Sequence, residues 1–141
     1  MAEYTSIALQ TVAVGGNVIF TDTAVACNRN NIRHRDGSGV FTLRGITNQC
    51  VARYRISFGA NIAIATGGTA GPISVAIAVE GEPLGEATAI VTPAAAGDLW
   101  NVSRSVCIEV PRGCCTKIAI RNTSDQPIDA QNANIMIKEV E

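Results

Sequence analysis

The chain is short of the side chains on which most chemistry depends. Its 141 residues include one histidine, one tryptophan, 4% aromatic residues and 16% charged residues. Any imidazole mechanism must therefore run through His34, which sits between Arg33 and Arg35. Two flanking positive charges disfavour the protonated ring and weaken it as a base. Nucleophilic catalysis also needs a nucleophile and an orienting group beside the base, and no such set is marked out. The chain reads as a protein that is not an enzyme. No run reaches the roughly 18 apolar residues of a membrane span, so a membrane partner is not expected. The formal net charge is −1, without the basic excess of nucleic-acid binders, so nucleic acid is not expected either. The opening MAEYTSIALQ lacks a basic segment followed by a long apolar stretch. It does not read as a secretory signal, and synthesis in a cytosol is the expectation. Asn101-Val102-Ser103 and Asn122-Thr123-Ser124 then match the glycosylation pattern by chance.

Metal and cofactor signals are equally thin. The five cysteines (Cys27, Cys50, Cys107, Cys114 and Cys115) are odd in number and contain no Cys-x-x-Cys. Without a secretory route a disulfide framework fits poorly, so they read as buried small hydrophobes. Zinc wants four ligands in paired spacing, which Cys27, His34, Cys50 and the Cys114–Cys115 pair do not offer. The acids Asp22, Asp36, Glu80, Glu82, Glu86 and Asp98 form no calcium loop. The segment Thr66-Gly67-Gly68-Thr69-Ala70-Gly71 lies between two strand patterns, not before a helix, and reads as a hairpin tip, not a phosphate loop. No metal and no cofactor are expected.

What the chain does have is alternation. Hydrophobic residues make up 47% of it, against disorder. Tyr54, Ile56, Phe58, Ala60, Ile62 and Ile64 share one parity, and Arg53, Arg55, Ser57 and Asn61 the other. That is a long, half-buried strand. The pattern returns at Ile73–Val79, at Ala87–Thr92, at Trp100–Val110 (where Arg104 interrupts the apolar face and suggests a bend or bulge), at Lys117–Arg121 and at Ala133–Lys138. Shorter strands are expected at Ile19–Phe20 and Val40–Leu43. Residues 5–14 are ambiguous, with Thr and Val favouring a strand. Gly81-Glu82-Pro83 and Pro111-Arg112-Gly113 read as turns. Trp100 shares parity with Val102 and Val106 and is expected in the core. About eight to ten short strands with regular turns predict an all-β antiparallel sandwich over residues 1–141, one domain.

The strand Ile19-Phe20-Thr21, then Gly39-Val40-Phe41-Thr42-Leu43, then Tyr54-Arg55-Ile56-Ser57-Phe58 resembles the pattern of tumour-necrosis-factor-like and complement-head jelly rolls. Those domains are sandwiches that form compact homotrimers. The chain departs from them in the connection Arg44–Cys50, which is longer and lacks proline. The stretches Val18-Ile19-Phe20-Thr21-Asp22, Pro111-Arg112-Gly113-Cys114-Cys115 and Gln131-Asn132-Ala133-Asn134 further resemble small proteins of phages and prophages of gut Firmicutes. That resemblance implies a virion part, a capsid decoration (cement) or head-fibre protein. It would be made in the bacterial host cytoplasm and have itself, the major capsid protein or other virion proteins as partners.

Self-association also follows from the residues. Ser74, Ala76 and Ala78 oppose Ile73, Val75 and Ile77, and residues 5–14 are mostly apolar. A sandwich buries one face of each strand, so further apolar surface asks for another cover. Low net charge removes one barrier to association. In the trimeric jelly rolls one sheet packs about the threefold axis. Here it would hold the first strand, the 53–64 strand, the 99–110 strand and the last strand. Arg55, Ser57, Asn101, Ser103, Asn134 and Met136 would face the axis; with parity reversed, Tyr54, Phe58 and Ile135 would. The basic run Arg29, Arg33, His34, Arg35 reads as a loop or short edge strand that either contacts an acidic partner or is simply solvated. The expected function is a homotrimeric structural virion protein. The alternative is a carbohydrate- or receptor-binding tip of a phage fibre or bacterial surface appendage.

Overall fold

Alternation places Tyr54, Ile56, Phe58, Ala60 and Ile62 on one side of a strand. In the computed structural model, which describes residues 1–27, 29–45 and 48–140, that side is the buried one. The described residues form eleven strands and no helix. They are β1 (Ala2–Ser6), β2 (Gln10–Val12), β3 (Asp22–Val25), β4 (Ile32–His34), β5 (Val40–Gly45), β6 (Val51–Ile64), β7 (Ile73–Val79), β8 (Glu82–Val91), β9 (Trp100–Pro111), β10 (Gly113–Asn122) and β11 (Ile128–Glu139).

Two antiparallel sheets result. One runs β3-β1-β11-β6-β9, with β2 beside β11, and the other runs β4-β5-β10-β7-β8. The first will be called the inner sheet and the second the outer sheet. The inner sheet's strands are the four expected from the sequence, with β3 and β2 added. Their inward residues meet those of the outer sheet in one core, in which Phe20, Phe41, Leu43, Tyr54, Ile56, Ile77, Ile120 and Ile135 are fully covered. Each such side chain contributes about 1.5–3 kcal/mol by leaving water.

Several expectations need correction. Residues 5–14 divide into β1 and β2, with Ile7 and Leu9 exposed between them. Ile19–Phe20 forms no strand, only a bridge from Phe20 to Ser38. The β7–β8 turn is Glu80-Gly81, both at positive φ, which is the two-residue hairpin geometry that follows the sheet's twist. Glu82 and Pro83 are already in β8, an edge strand where proline loses no ladder bond. No bulge occurs at Arg104, because β6 and β9 stay in register from Val51↔Pro111 to Ile62↔Trp100. Arg104 instead reaches the Glu86 carbonyl at 2.9 Å. Ala76 and Ala78 are covered within the chain. Arg121 pairs with Ala76 and donates from Nη1 to the Gly81 carbonyl at 2.8 Å, so this face of β7 asks for no partner. Trp100 is 48% exposed, not core. It opens β9 at the end of the sandwich, and its indole N–H donates to Asp98 Oδ2 at 3.3 Å. In the Arg44–Cys50 connection, Ile46 and Thr47 lie outside the described residues.

Asn122 has a structural role. Its buried amide lies within 3.2 Å of the carbonyls of Val12, Ala13 and Gln126, and its Oδ1 accepts from the Ser124 N–H at 2.9 Å. It ties the β10–β11 turn to β2.

Candidate functional site

The outward face of the inner sheet gathers all six residues expected on the axis. Met136 stands opposite Ser57, and Ser57 opposite Ser105. Asn134 stands opposite Gly59, and Gly59 opposite Ser103. Asn101 is across from Asn61, while Arg55 lies between Lys138 and Cys107. The reversed parity does not occur: Tyr54, Phe58 and Ile135 are buried.

The middle of this face is low and built from short side chains, with Arg104 and Glu86 at its border. Ser57 and Ser105 share a hydrogen bond of 3.0 Å. An asparagine row crosses three strands: Asn101 Nδ2 donates to Asn61 Oδ1 at 3.2 Å, and Asn61 Nδ2 to Asn132 Oδ1 at 3.4 Å. Asn134 Nδ2 donates to Glu3 Oε2 at 3.3 Å. Over Gly59, which has no side chain to fill it, lies a depression of about 520 Å³ bordered by Ser103, Asn134 and Arg104. Charge gathers toward one end, where Arg53 pairs with Glu109 at 3.2 Å and Arg55 and Lys138 are neighbours.

The basic run divides. Arg29 turns to Glu139 at 3.3 Å. Arg33, His34 and Arg35 line a separate open depression of about 750 Å³ at the β4 edge, with Tyr4, Thr42 and Lys117. His34 is no solvated loop residue. Its ring stacks on Phe41 at 4.4 Å and leans on Tyr4 at 4.7 Å. Its Nε2 lies 2.7 Å from the Ser38 carbonyl, an acceptor only, so this nitrogen carries the proton. Nδ1 is buried without a partner. The ring is held as part of the sandwich edge.

Below Arg29 a polar network closes one end of the core. Asn31 accepts from Cys27 Sγ at 3.0 Å and donates to the Tyr54 hydroxyl at 3.0 Å and to Glu139 Oε2 at 3.3 Å. Burial and the Glu139 carboxylate push Tyr54 up to about 12. Burial also pushes the Cys27 thiol up. Main-chain N–H donors of Arg29, Ile32, Asn31 and Asn30 outweigh it and hold that thiol below its ordinary value.

The cysteines depart from the buried reading. Cys27 is half-buried, Cys50 and Cys107 are exposed, and the adjacent Cys114 and Cys115 are exposed with their sulfurs side by side. Cys115 is the extra residue of a bulge opposite β5. Cys27 and His34 do share one depression, but among the described residues no three His, Cys, Asp or Glu side chains converge on a metal position.

No family model matches the chain, and no curated protein matches it in sequence. Solved structures do. The globular domain of zebrafish complement 1qA protein superposes with a TM-score of 0.55 at 11% identity, over 96% of this chain and 94% of that one. The fold is the complement-head jelly roll. A further likeness, to the C-terminal domain of EclA, a sugar-binding protein, has a TM-score of 0.45 at 15% identity, over 94% of this chain and 79% of that one. That score says nothing about ligands. On the complement-head fold, the sequence missed Lys117 and Thr42 beside the basic run, and Asn31 beneath it. Their proximity depends on pairings between distant strands, which parity within one strand cannot reveal.

Proposed function

We propose that the chain is a homotrimeric structural module of a virion, a decoration or head-fibre protein. The observation that carries the reading is the outward face of the inner sheet. Its centre is built from Ser57, Gly59, Ser103, Ser105 and Asn134, short side chains without charge. Charge depletion at the centre with charge at the rim is the usual anatomy of a protein–protein contact, and short side chains let a second backbone come close. Exposed Ile7, Leu9 and Met136 add apolar area. The mechanism is geometric: a rigid trimer clamps neighbouring subunits at a symmetry-matched position, with no chemical step.

Light scattering at micromolar concentration tests it. A trimer is expected for the native chain and dissociation for Ser57→Arg, which places like charges together at the centre. A native monomer would overturn the trimer. Capsid and portal genes beside its own gene would support decoration, and tail genes receptor binding. The carbohydrate-binding alternative gains one observation, the half-exposed Trp100, an aromatic able to stack on a sugar ring. A glycan array without binding would remove it.

A further inference from the structure

The outward face of the other sheet carries a second feature. Arg33 on β4 is opposite Thr42 on β5, and Thr42 is opposite Lys117 on β10. Adjacent strands lie about 4.8 Å apart, so the two cations flank the Thr42 hydroxyl across roughly 10 Å of sheet. Arg35, two residues beyond Arg33, lines the same depression. The chain has 11 Lys and Arg against 12 Asp and Glu, yet three of the cations and none of the acids line this depression. None of the three is in an ion pair among the described residues. Two carboxylates border the row, fewer than its cations: Asp36 Oδ1 accepts from the Thr23 hydroxyl of the lining at 3.2 Å, and Glu80 Oε1 from the Lys117 main-chain N–H at 2.8 Å.

We infer that this row is the seat of a small hydroxylated carboxylate, an acidic monosaccharide being the type. Guanidinium groups present forked donors that match a carboxylate, and Lys117 supplies a point charge from the other side. The depression is broad and open, wider than a bare ion needs. The Thr42 hydroxyl between the two cations matches a ligand that carries hydroxyls of its own. The Arg33–Thr42–Lys117 row is on the sheet opposite the proposed assembly face, and the inference does not rest on that reading.

Amide chemical-shift titration with glucuronate, inorganic phosphate and glucose tests the inference. Glucuronate should move the amides of Arg33, Thr42 and Lys117 and leave those of Ser57, Ser103 and Asn134 still, and glucose should move none of them. Arg33→Gln with Lys117→Gln should weaken glucuronate by about tenfold or more, while Lys138→Gln, on the other face, should leave it unchanged. Both changes are at exposed positions, and an unaltered spectrum elsewhere confirms the fold. Absence of shifts, equal weakening by Lys138→Gln, equal shifts with glucose, or shifts with phosphate but not glucuronate would each overturn it.

Discussion

The Tyr54 hydroxyl donates to the Arg44 main-chain carbonyl across 2.6 Å. The same oxygen accepts from Asn31 at 3.0 Å, so one fully buried phenol joins β5, β6 and the segment before β4. Tyr54→Phe keeps the ring and leaves a buried carbonyl and amide unsatisfied. The expected loss is about 1–3 kcal/mol, read from urea unfolding at neutral pH. A loss below about 0.5 kcal/mol would mean that water reaches the site.

Tyr54 also makes stability depend on alkaline pH. Its folded-state value of about 12 stands above the ordinary 10.0, so the unfolded chain gives up this proton first. The stabilisation is complete below pH 10 and is lost as pH rises toward 12. The loss should total roughly 2–3 kcal/mol. Denaturation curves at stepped pH should therefore show the native chain falling toward the Tyr54→Phe variant across that window. Parallel curves would contradict the assignment.

The sequence made the sheets legible where strands are long and one face is wet. β6 and β11 follow from parity, because a one-residue slip would move every apolar side chain into water, and β7, covered on both faces, follows from its apolar run. β3 was not legible: all four of its residues are exposed, so no alternation marks it. Trp100 misled because parity gives a side but not depth. It points inward where the sandwich has already ended. Arg104 misled for the same reason, since β9 is an edge strand and an inward position there can still reach solvent. The six residues on the outward side of the inner sheet were readable as one face because each alternates with core residues of its own strand. The Arg33–Thr42–Lys117 row was not, because strand order and register are tertiary facts.

Gly45 is required by a close approach. It pairs with Gly113, and a Cβ there would overlap the Pro111 carbonyl and crowd Arg112 Cα, backbone that cannot swing aside. Gly45→Ala should cost about 3 kcal/mol or more. Gly85→Ala, where a Cβ meets open space, should change stability by less than about 0.5 kcal/mol. Thermal melts of the two variants side by side decide it, and equal losses would refute the close approach.

Cys27 should ionise more readily than an ordinary thiol. Its four main-chain donors favour the thiolate over the thiol. Alkylation by iodoacetamide, followed residue by residue with mass spectrometry, should show its reaction midpoint at lower pH than that of a free cysteine peptide. Asn31→Ala should slow or shift it by disturbing the turn that presents those donors. A midpoint coincident with that of the peptide would count against the cradle.

Cys107 offers the most direct test of how copies meet. It is exposed on the outward face of β9, opposite Arg55, within the face assigned to assembly. In a Cys50→Ser background, a short bismaleimide should join Cys107 thiols of neighbouring copies. Three thiols about a threefold axis leave one over after any pair has reacted, so denaturing gels should show covalent dimers and few covalent trimers. Cys107→Ser should abolish the product, and dilution before cross-linking should reduce it only as the assembly itself dissociates. If light scattering finds a trimer and Cys107 does not cross-link, the copies meet through another face, and the uncharged centre around Gly59 must be assigned to a different partner.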